Sequence, residues 1–247
     1  MQGFRVATWN LDGYRRDATS RLTRQLQTLE SLKADVLVLT EVRDSTHLEG
    51  QQFWWSADGR PPYKRCDRAV GLASHWDGEQ LSVSDSRLSV CVALDGPRPL
   101  GRVVVYGTVI PYALDGVRQG LAKSWERHRK AVTDVVADVQ RLSCDPVLRG
   151  ARLVLAGDFN MGLDGTRWYG DPAARTKLVN GLAGAGLRCH TMEDIRATRG
   201  SDRAIVDHVW ASSDLAPADS LHVWCDRGES GRLSDHNGVA LRLVPVP

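Results

Sequence analysis

Side chains that can hold a cation or a water molecule follow a short apolar run in the second half of the chain. Asp158 and Asn160 come after Leu153–Ala156 and Gly157, a pattern typical of a buried strand that ends in a turn. In an extended segment, residues two apart leave the backbone on the same face. A carboxylate and an amide placed in this way can bind a hard cation, hold a water and contact a phosphate oxygen. Taken alone, however, the pattern is more often an ordinary turn.

Similar side chains follow other strand-like segments. In chain order the set is Asn10, Asp12, Glu41, Asp158, Asn160, Asp207, Asp235 and His236. Magnesium prefers several oxygen ligands, often one or two carboxylates with waters and substrate phosphate. Phosphodiester hydrolysis needs an oriented water and stabilisation of the charge on the phosphoryl group. A histidine paired with a carboxylate adds a group of fixed tautomer and orientation. The set as a whole therefore favours metal-dependent chemistry on phosphate esters.

The elements that must position these residues alternate between strands and helices. Residues 4–10 and 36–40 are strand-like, and the leucine spacing from about 20 to 32 predicts a helix between them. A parallel pair of strands with a covering helix would bring Asn10 and Glu41 to the same edge. Other strand-like segments are 70–74, 81–83, 88–94, 102–110, 205–210, 220–224 and 239–244. This alternation predicts two packed sheets with helices outside.

Two more helices are predicted in the second half of the chain. An apolar stripe from Trp125 to Leu142 has helical spacing. Asp171 and Pro172 have the residue types of an N-cap and a first helical position, and Gly186 would end the helix that they begin.

Composition limits the class of protein. The chain has 247 residues, of which 42% are hydrophobic and 25% charged, and its net charge is +2. No linker or repeat divides it, so we predict a single domain over residues 1–247. No apolar run could span a membrane and no signal-like segment opens the chain, which predicts a cytoplasmic protein. Five scattered cysteines without C-x-x-C spacing are expected to be reduced.

Five short motifs occur in order between residues 8 and 236. They are Thr8-Trp9-Asn10, Leu39-Thr40-Glu41, Gly157-Asp158-Phe159-Asn160, Val206-Asp207-His208 and Ser234-Asp235-His236. In order and spacing the set resembles the endonuclease/exonuclease/phosphatase superfamily of metal-dependent phosphoesterases. The resemblance implies a four-layered α/β sandwich, with two packed β-sheets, helices on the outer faces and the site at one end of the sheets.

The resemblance also implies a set of metal ligands. Glu41 would be the principal ligand of Mg²⁺, with Mn²⁺ as the alternative ion, and Asn10 and Asp235 would lie beside it. The loop after Asn10 is closest to the apurinic-site endonuclease and exonuclease III branch, in which the acid at the position of Asp12 also lies by the metal.

The catalytic roles implied by the resemblance fall on four residues. Asp158 would orient or deprotonate the attacking water, and Asn160 would position water or phosphate. His236 would contact the phosphate and would be held by Asp207.

One group that usually faces the phosphate in this superfamily is absent from its expected position. The apurinic-site branch has a tyrosine two residues before the proline at 111, where this chain has Val109. The DNase I-like branch has a histidine three residues before it, where this chain has Thr108. Tyr106 and Tyr112 are candidates for a group supplied from elsewhere.

Two features indicate a long anionic substrate. A basic cluster extends from Arg118 to Lys130, and we expect Arg127 and Arg129 within it to bind substrate. Aromatic residues that could stack on bases occur in loop-like segments, and they are Trp54, Trp55, Trp168 and Tyr169. We therefore predict a Mg²⁺-dependent nuclease that acts on DNA as a monomer.

Two other functions stay open at this point. The same chemistry could serve a small-molecule, nucleotide or phospholipid substrate. A catalytically silent domain that binds a phosphate-bearing partner is the other alternative, although a silent domain has no physical need for clustered carboxylates. The sequence does not distinguish endonuclease from exonuclease activity, or one metal ion from two.

Overall fold

The computed structural model describes residues 3–13, 19–58, 67–166, 169–224 and 232–246. Within these ranges the chain forms thirteen strands, four α-helices and one short 3-10 helix. The strands are β1 (Phe4–Asn10), β2 (Val36–Arg43), β3 (Gln52–Trp55), β4 (Asp67–Ser74), β5 (Gly78–Leu81), β6 (Ser89–Asp95), β7 (Arg102–Val109), β8 (Arg152–Asp158), β9 (Leu187–Cys189), β10 (Asp207–Ser212), β11 (Leu215–Pro217), β12 (His222–Trp224) and β13 (Gly238–Pro245). The helices are α1 (Thr19–Ser31), α2 (Glu126–Cys144), α3 (Pro172–Gly184) and α4 (Ile195–Arg199), and the 3-10 helix is Pro146–Leu148.

The strands form two mixed sheets. The first sheet has the order β11-β13-β1-β2-β4-β3, with β12 also paired to β13, and the second has the order β5-β6-β7-β8-β10-β9. The pairs β1–β2 and β7–β8 are parallel. In the first of these pairs Asn10 is the register partner of Thr40, so Glu41 follows directly beyond the end of β1. The predicted parallel pair with a helix between its strands is confirmed.

The two sheets pack face to face over an apolar core. Val38 and Val70 of the first sheet lie over Gly107 of the second, where a Cβ atom would be only 3.0 and 2.9 Å from their methyl carbons. Successive side chains along a strand point to opposite faces of its sheet, so one strand contributes to the packing on both faces. In β1, Val6 joins the core between the sheets, while Trp9 packs on the opposite face in a cluster that includes Leu29 of α1.

Helices α2 and α3 cover the outer face of the second sheet. The Tyr106 hydroxyl donates to the Asp138 carboxylate on α2 at 2.8 Å, and Val136 of α2 packs directly on Gly181 of α3. Helix α3 begins as the sequence predicts, because the Asp171 carboxylate accepts from the Ala174 N–H at 2.8 Å. Helix, sheet, sheet and helices therefore form four layers, and the predicted α/β sandwich is confirmed.

The prediction that Trp54 and Trp55 lie in a loop is wrong. Both belong to β3, an edge strand paired with β4, and both are half-buried. The ring of Trp55 stacks on that of Phe53 at 4.8 Å, so it packs against a neighbour on its own strand. A four-residue edge strand has too few positions for a period-two pattern to emerge from sequence. Trp168 lies outside the described residues.

Three of the cysteines lie in the described residues, and all three carry free thiols. They are Cys91, Cys144 and Cys189, whereas Cys66 and Cys225 lie outside these ranges. No helix in the described part of the chain is both long and apolar enough to cross a membrane.

Gly157 directly precedes Asp158, the last residue of β8, and the backbone at this position requires a glycine. Its φ is +138°, and a Cβ atom here would lie 1.9 Å from the carbonyl oxygen of Thr108. A side chain would therefore force the parallel pair of β7 and β8 apart at this point. We expect Gly157→Ala to lower the free energy of unfolding by more than about 4 kcal/mol. In a chain of this size this corresponds to a fall in Tm of roughly 8–16 °C, measurable by thermal denaturation.

Gly165→Ala is the matched control for this prediction. Gly165 also has a positive φ, +85°, but no atom lies within 4 Å of the position of its Cβ. This variant carries only the cost of the left-handed backbone, about 1–2 kcal/mol. Equal losses of stability in the two variants would contradict the proposed clash with Thr108.

Candidate active site

Strands from both sheets bring polar side chains to one edge of the sandwich. Asp158 is the last residue of β8 and Asp207 the first of the antiparallel strand β10, so the two are register partners. From the first sheet, Asn10 ends β1 and lies close enough for its amide to donate to Asp158 at 3.1 Å. Glu41 is held within hydrogen-bonding reach of Asn10. The structure therefore brings together four of the predicted residues from distant parts of the chain.

The Asp158 carboxylate is fully buried and tightly held. Its Oδ1 accepts from the backbone N–H of Asn160 at 2.8 Å, and its Oδ2 accepts from the side-chain amides of Asn160 and Asn10 at 2.9 and 3.1 Å. The Asn160 amide also donates to the carbonyl of Ile110 at 3.0 Å. Burial, together with the nearby carboxylate of Asp207, raises the pKa of Asp158 above its usual range. Such a carboxylate is fixed in orientation and suited to accept a proton near neutral pH.

Asp207 and His236 form a close pair. His236 Nδ1 lies 2.6 Å from Asp207 Oδ2, and the Asp207 carboxylate is fully buried. Burial alone would lower the pKa of His236, but the carboxylates of Asp207, Asp158 and Asp235 outweigh it and hold that pKa well above the ordinary value. These carboxylates favour the charged form of the ring, and the predicted pairing of Asp207 with His236 is present.

The loop that carries His236 is fixed to β1. Ser234 Oγ donates to the carbonyl of Asn10 at 2.5 Å and accepts from the N–H of His236 at 3.0 Å. The indole N–H of Trp9 donates to the carbonyl of His236 at 3.2 Å. These contacts hold the imidazole at the same edge as the carboxylates.

The pKa of the Glu41 carboxyl group is also raised at this edge. Burial, followed by the charge of Asp158, raises the pKa of Glu41 to about 8. Its backbone is in the left-handed region with φ +47°, and its carbonyl accepts from the N–H of Gly13 at 2.8 Å. The Glu41 backbone is thus fixed at this edge, while the negative charge of its carboxylate is poorly compensated in the absence of a cation.

A divalent cation fits this donor set. Carboxyl groups of Glu41, Asp158, Asp207 and Asp235 interact with one another or with the same histidine. The second carboxylate oxygen of Asp207, Oδ1, is buried and has no hydrogen-bond partner. A surplus of buried negative charge is relieved by a hard cation with oxygen ligands. Glu41, with the Asn10 amide and the exposed Asp235 carboxylate beside it, offers such ligands.

A second grouping of possible ligands lies next to this one. Among the described residues, Asp158, Asp207 and His236 offer ligand atoms that all lie within 4.8 Å of one another. The Nδ1 atom of His236 is, however, engaged in a 2.6 Å hydrogen bond with Asp207, and this nitrogen would otherwise serve as the metal ligand. Glu41 is therefore the better candidate for the principal ligand.

Asp12 is less available than its position in the sequence indicates. Its carboxylate forms an ion pair with Arg21 at 3.4 Å, and its backbone N–H donates to the Asn10 amide oxygen at 2.8 Å. The structure places Asp12 next to Asn10, as a residue that orients that side chain.

A small pocket of about 130 Å³ opens at this edge. It is lined by Asn160, Tyr169, Arg203, Ala204, Val206, Asp235, His236 and Asn237. Sequence reasoning singled out Tyr169 only as a loop aromatic and missed Arg203 and Asn237. The position of Asn237 directly after the Ser-Asp-His motif could have indicated that residue, whereas Arg203 carries no local signal.

The two tyrosines considered for the missing phosphate-facing group have different environments. Tyr106 is buried under α2, where its hydroxyl contacts Asp138, and it does not line the pocket. It is excluded because β7 turns this side chain to the outer face of the second sheet. Tyr112 is 46% exposed and lies outside the pocket lining.

Arg127 and Arg129 are both held in ion pairs. Arg127 contacts Asp115 at 3.1 Å and Arg129 contacts Asp171 at 2.6 Å, and both acids are buried. These pairs fix the loop after Pro111 and the start of α3. Within the described residues, no ion pair of this kind engages the exposed side chains of Arg118 and Lys123 in the same cluster.

Comparison with solved structures gives the same fold. An endonuclease/exonuclease/phosphatase protein from Beutenbergia cavernae has a TM-score of 0.67 and 17% identity, covering 99% of this chain and 72% of that one. An AP endonuclease from Archaeoglobus fulgidus has a TM-score of 0.66 and 17% identity, covering 99% and 100%. D. rerio TDP2, solved with a single-strand DNA product, has a TM-score of 0.63 and 12% identity, covering 99% and 100%.

Sequence comparison identifies the family. No curated protein sequence matches this chain. The profile of the endonuclease/exonuclease/phosphatase family, however, matches residues 7–236, a range that includes Asn10, Glu41, Asp158, Asn160, Asp207, Asp235 and His236. The chain therefore belongs to the endonuclease/exonuclease/phosphatase family and is a metal-dependent phosphoric ester hydrolase.

Proposed function

We propose that this enzyme is a Mg²⁺-dependent phosphodiesterase that cleaves DNA. The observation that carries the proposal is the buried Asp207–His236 pair beside the locked carboxylate of Asp158, with Glu41 at the same edge. A charged imidazole can contact a phosphate oxygen, while a fixed carboxylate can hold a water. These groups, together with a cation, are what hydrolysis of a phosphodiester requires.

Glu41, Asn10 and Asp235 would hold the metal ion. When bound, Mg²⁺ would neutralise charge on the phosphoryl oxygens and the leaving group. The chain's own part is to fix these oxygen ligands at one edge and to orient the neighbouring Asp158 carboxylate by hydrogen bonds from Asn10 and Asn160.

The attacking water would be oriented by Asp158 and Asn160. Three N–H groups hold the carboxylate of Asp158 in one orientation, so a water that donates to it is held in a fixed direction. Asp158 would accept the proton of that water as the new phosphorus–oxygen bond forms, while the bond from phosphorus to the leaving oxygen breaks and the leaving oxygen takes a proton from solvent. His236, charged and held by Asp207, would stabilise the negative charge on the phosphoryl oxygen.

Two observations support DNA as the substrate. Structures of similar fold include an AP endonuclease and a TDP2 complex with single-strand DNA. The loop between β7 and α2 starts next to the site and presents the exposed cations Arg118 and Lys123. Arg127 and Arg129 would add to the positive electrostatic potential of this loop, and their ion pairs would anchor it. We further propose a monomeric enzyme of one domain.

The proposal is tested by a hydrolysis panel in Mg²⁺, Mn²⁺ and EDTA. The substrates are plasmid DNA, abasic duplex, single-stranded DNA, RNA, phosphoinositides and an aryl phosphodiester. We expect hydrolysis of DNA in Mg²⁺ that EDTA abolishes and that Asp158→Asn reduces. The matched control is Asp95→Asn, because Asp95 is exposed and lies at the far end of β6. Hydrolysis of lipid or aryl substrates with no cleavage of any DNA would overturn the assignment.

The salt dependence of binding tests DNA independently of cleavage. Each contact between a cation and a DNA phosphate releases counterions, so binding in Ca²⁺ should weaken steeply as salt rises. We expect the double variant Arg118→Ala/Lys123→Ala to reduce the slope of log K against log salt by about 0.7 for each phosphate of single-stranded DNA that is no longer neutralised. Fluorescence anisotropy with uncleaved single-stranded DNA measures the slope.

A matched double variant serves as the control for the slope. Arg98 and Arg188 are exposed, and they lie at the end of the second sheet away from Asp158, so their replacement by alanine should leave the slope unchanged. A shallow slope in the wild-type enzyme would instead point to a small substrate.

A further inference from the structure

The pocket beside His236 is lined by two hydrogen-bond donors that belong to none of the five sequence motifs. Tyr169 lies in the segment between β8 and α3, and Arg203 lies between α4 and β10. Asn160 and His236 line the same small space of about 130 Å³. A phenol, a guanidinium, an amide and an imidazole thus line one pocket together with the exposed carboxylate of Asp235, and the first four of these groups can donate hydrogen bonds to an anion.

We propose that Tyr169 and Arg203 bind the phosphoryl group that is cleaved, with both side chains donating hydrogen bonds to its non-bridging oxygens. This inference rests on the proposed function, because it assigns the part of the DNA that occupies the pocket. Thr108 and Val109 stand where a histidine or a tyrosine is expected to face the phosphate. Tyr169 and Arg203 would take over that contact.

The backbone of Tyr169 is held firmly in place. Its carbonyl accepts from the N–H of Gly162 at 2.9 Å and from Nη2 of Arg175 at 2.6 Å, and Arg175 Nε donates to the carbonyl of Gly162 at 2.9 Å. One guanidinium therefore clamps both ends of the loop. Donors fixed before the substrate arrives are those that stabilise developing charge best.

The Tyr169 ring is fixed from the other side by the loop before α2. Its centroid lies 5.4 Å from that of Trp125, and its hydroxyl oxygen accepts from the N–H of Ala113 at 3.4 Å. A phenol that accepts from one group can donate to another at the same time. Burial, together with the charge of Asp158, raises the pKa of Tyr169, which keeps the phenol protonated as a donor.

Arg203 is fixed through its backbone and its guanidinium. Its carbonyl accepts from Ser201 Oγ at 2.9 Å and from the Asn237 amide at 3.3 Å, and its N–H donates to Ser201 Oγ at 3.2 Å. The guanidinium donates to the carbonyl of Asp235. Asp235 and Asn237 flank His236 in sequence. Arg203 is therefore bound to the same short segment of backbone that carries the imidazole. A guanidinium has five N–H donors, so this contact leaves others that can bind a phosphate.

Removal of one donor at a time tests the pocket. Tyr169→Phe keeps the ring and its contact with Trp125 but loses the hydroxyl. We expect kcat on DNA to fall roughly 10- to 100-fold with little change in KM. Arg203→Met should raise KM roughly tenfold as well as lower kcat, and Arg203→Lys should recover part of the loss because it keeps the charge. Tyr112→Phe and Arg188→Met are the controls, and both should match the wild type.

Binding of inorganic phosphate gives a readout without turnover. Calorimetry in Mg²⁺ buffer should show that Tyr169→Phe and Arg203→Met each weaken the affinity for phosphate about tenfold. A merely structural role would lower Tm and leave this affinity unchanged, so Tm is measured in parallel.

The outcomes separate this inference from the proposed function. Wild-type phosphate affinity and wild-type kcat in both variants would overturn the assignment of the pocket to the phosphoryl group, even if the enzyme cleaves DNA. Phosphate binding that depends on Tyr169 and Arg203 in an enzyme that cleaves no DNA would support the pocket and overturn the DNA assignment. A wild-type enzyme that binds no phosphate at all would also overturn the pocket.

Discussion

The Glu41→Gln variant is expected to lose metal-dependent hydrolysis by more than about a hundredfold. Replacing a residue that only supports a metal ligand costs about 10- to 100-fold in many enzymes, and loss of the principal ligand should exceed that. The amide keeps the volume of the side chain and removes only its negative charge. Steady-state rates at limiting Mg²⁺ measure the loss, and Glu30→Gln, at an exposed position on α1, is the matched control.

The same variant should be more stable than the wild type when no metal is present. Burial raises the pKa of Glu41 from 4.5 to about 8, so the folded protein holds this proton more tightly than the unfolded chain does. The wild type therefore loses stability as pH rises from about 4.5 to about 8, and the loss is complete above that range. Glu41→Gln removes this dependence, with a gain of several kcal/mol at pH 8 or higher. Wild-type turnover together with wild-type metal-free stability would contradict the role of Glu41.

The Asp207→Asn variant is expected to lower kcat by roughly 10²- to 10⁴-fold while KM changes little. Asp207 is fully buried and contacts His236 Nδ1 at 2.6 Å, so it fixes the ring and favours its charged form. An amide can present its N–H to the same nitrogen and select the wrong tautomer. The pKa of His236 should fall as well, which moves the corresponding limb of the pH–rate profile to lower pH.

Asp95→Asn is again the control for the acid-to-amide change, and it should leave both kinetic constants unchanged. A rise in KM with unchanged kcat in Asp207→Asn would show instead that Asp207 binds substrate, and the proposed role of its pair with His236 would be wrong.

The positions of the candidate catalytic residues could be predicted from the sequence because they depend on where strands end. A parallel pair joined by a helix places the carboxyl ends of its strands together, which brings Asn10 and Glu41 to one edge. The pairing of β8 with β10 adds Asp158 and Asp207 through a register that the sequence does not specify. What the sequence could not predict is the left-handed backbone of Glu41, which is set by the contact of its carbonyl with Gly13.

The parts of the site that sequence analysis missed depend on contacts between loops. Tyr169 reaches the pocket because Arg175 and Trp125 hold its loop. Arg129 pairs with Asp171 from 42 residues away, so the acid that neutralises it is not visible in its local sequence. Loop conformations of this kind are decided by long-range packing and have no periodic signal.

The position of a bound Mn²⁺ ion is the most direct test of Glu41 as the principal metal ligand. Crystals grown with Mn²⁺ give an anomalous difference peak that locates the ion without assumptions about its ligands. We predict a peak about 2.0–2.3 Å from a carboxylate oxygen of Glu41, on the side of Asn10 and Asp235, with the contact between Asp207 and His236 intact. A peak coordinated by Asp158, Asp207 and His236, with no ion at Glu41, would contradict this assignment.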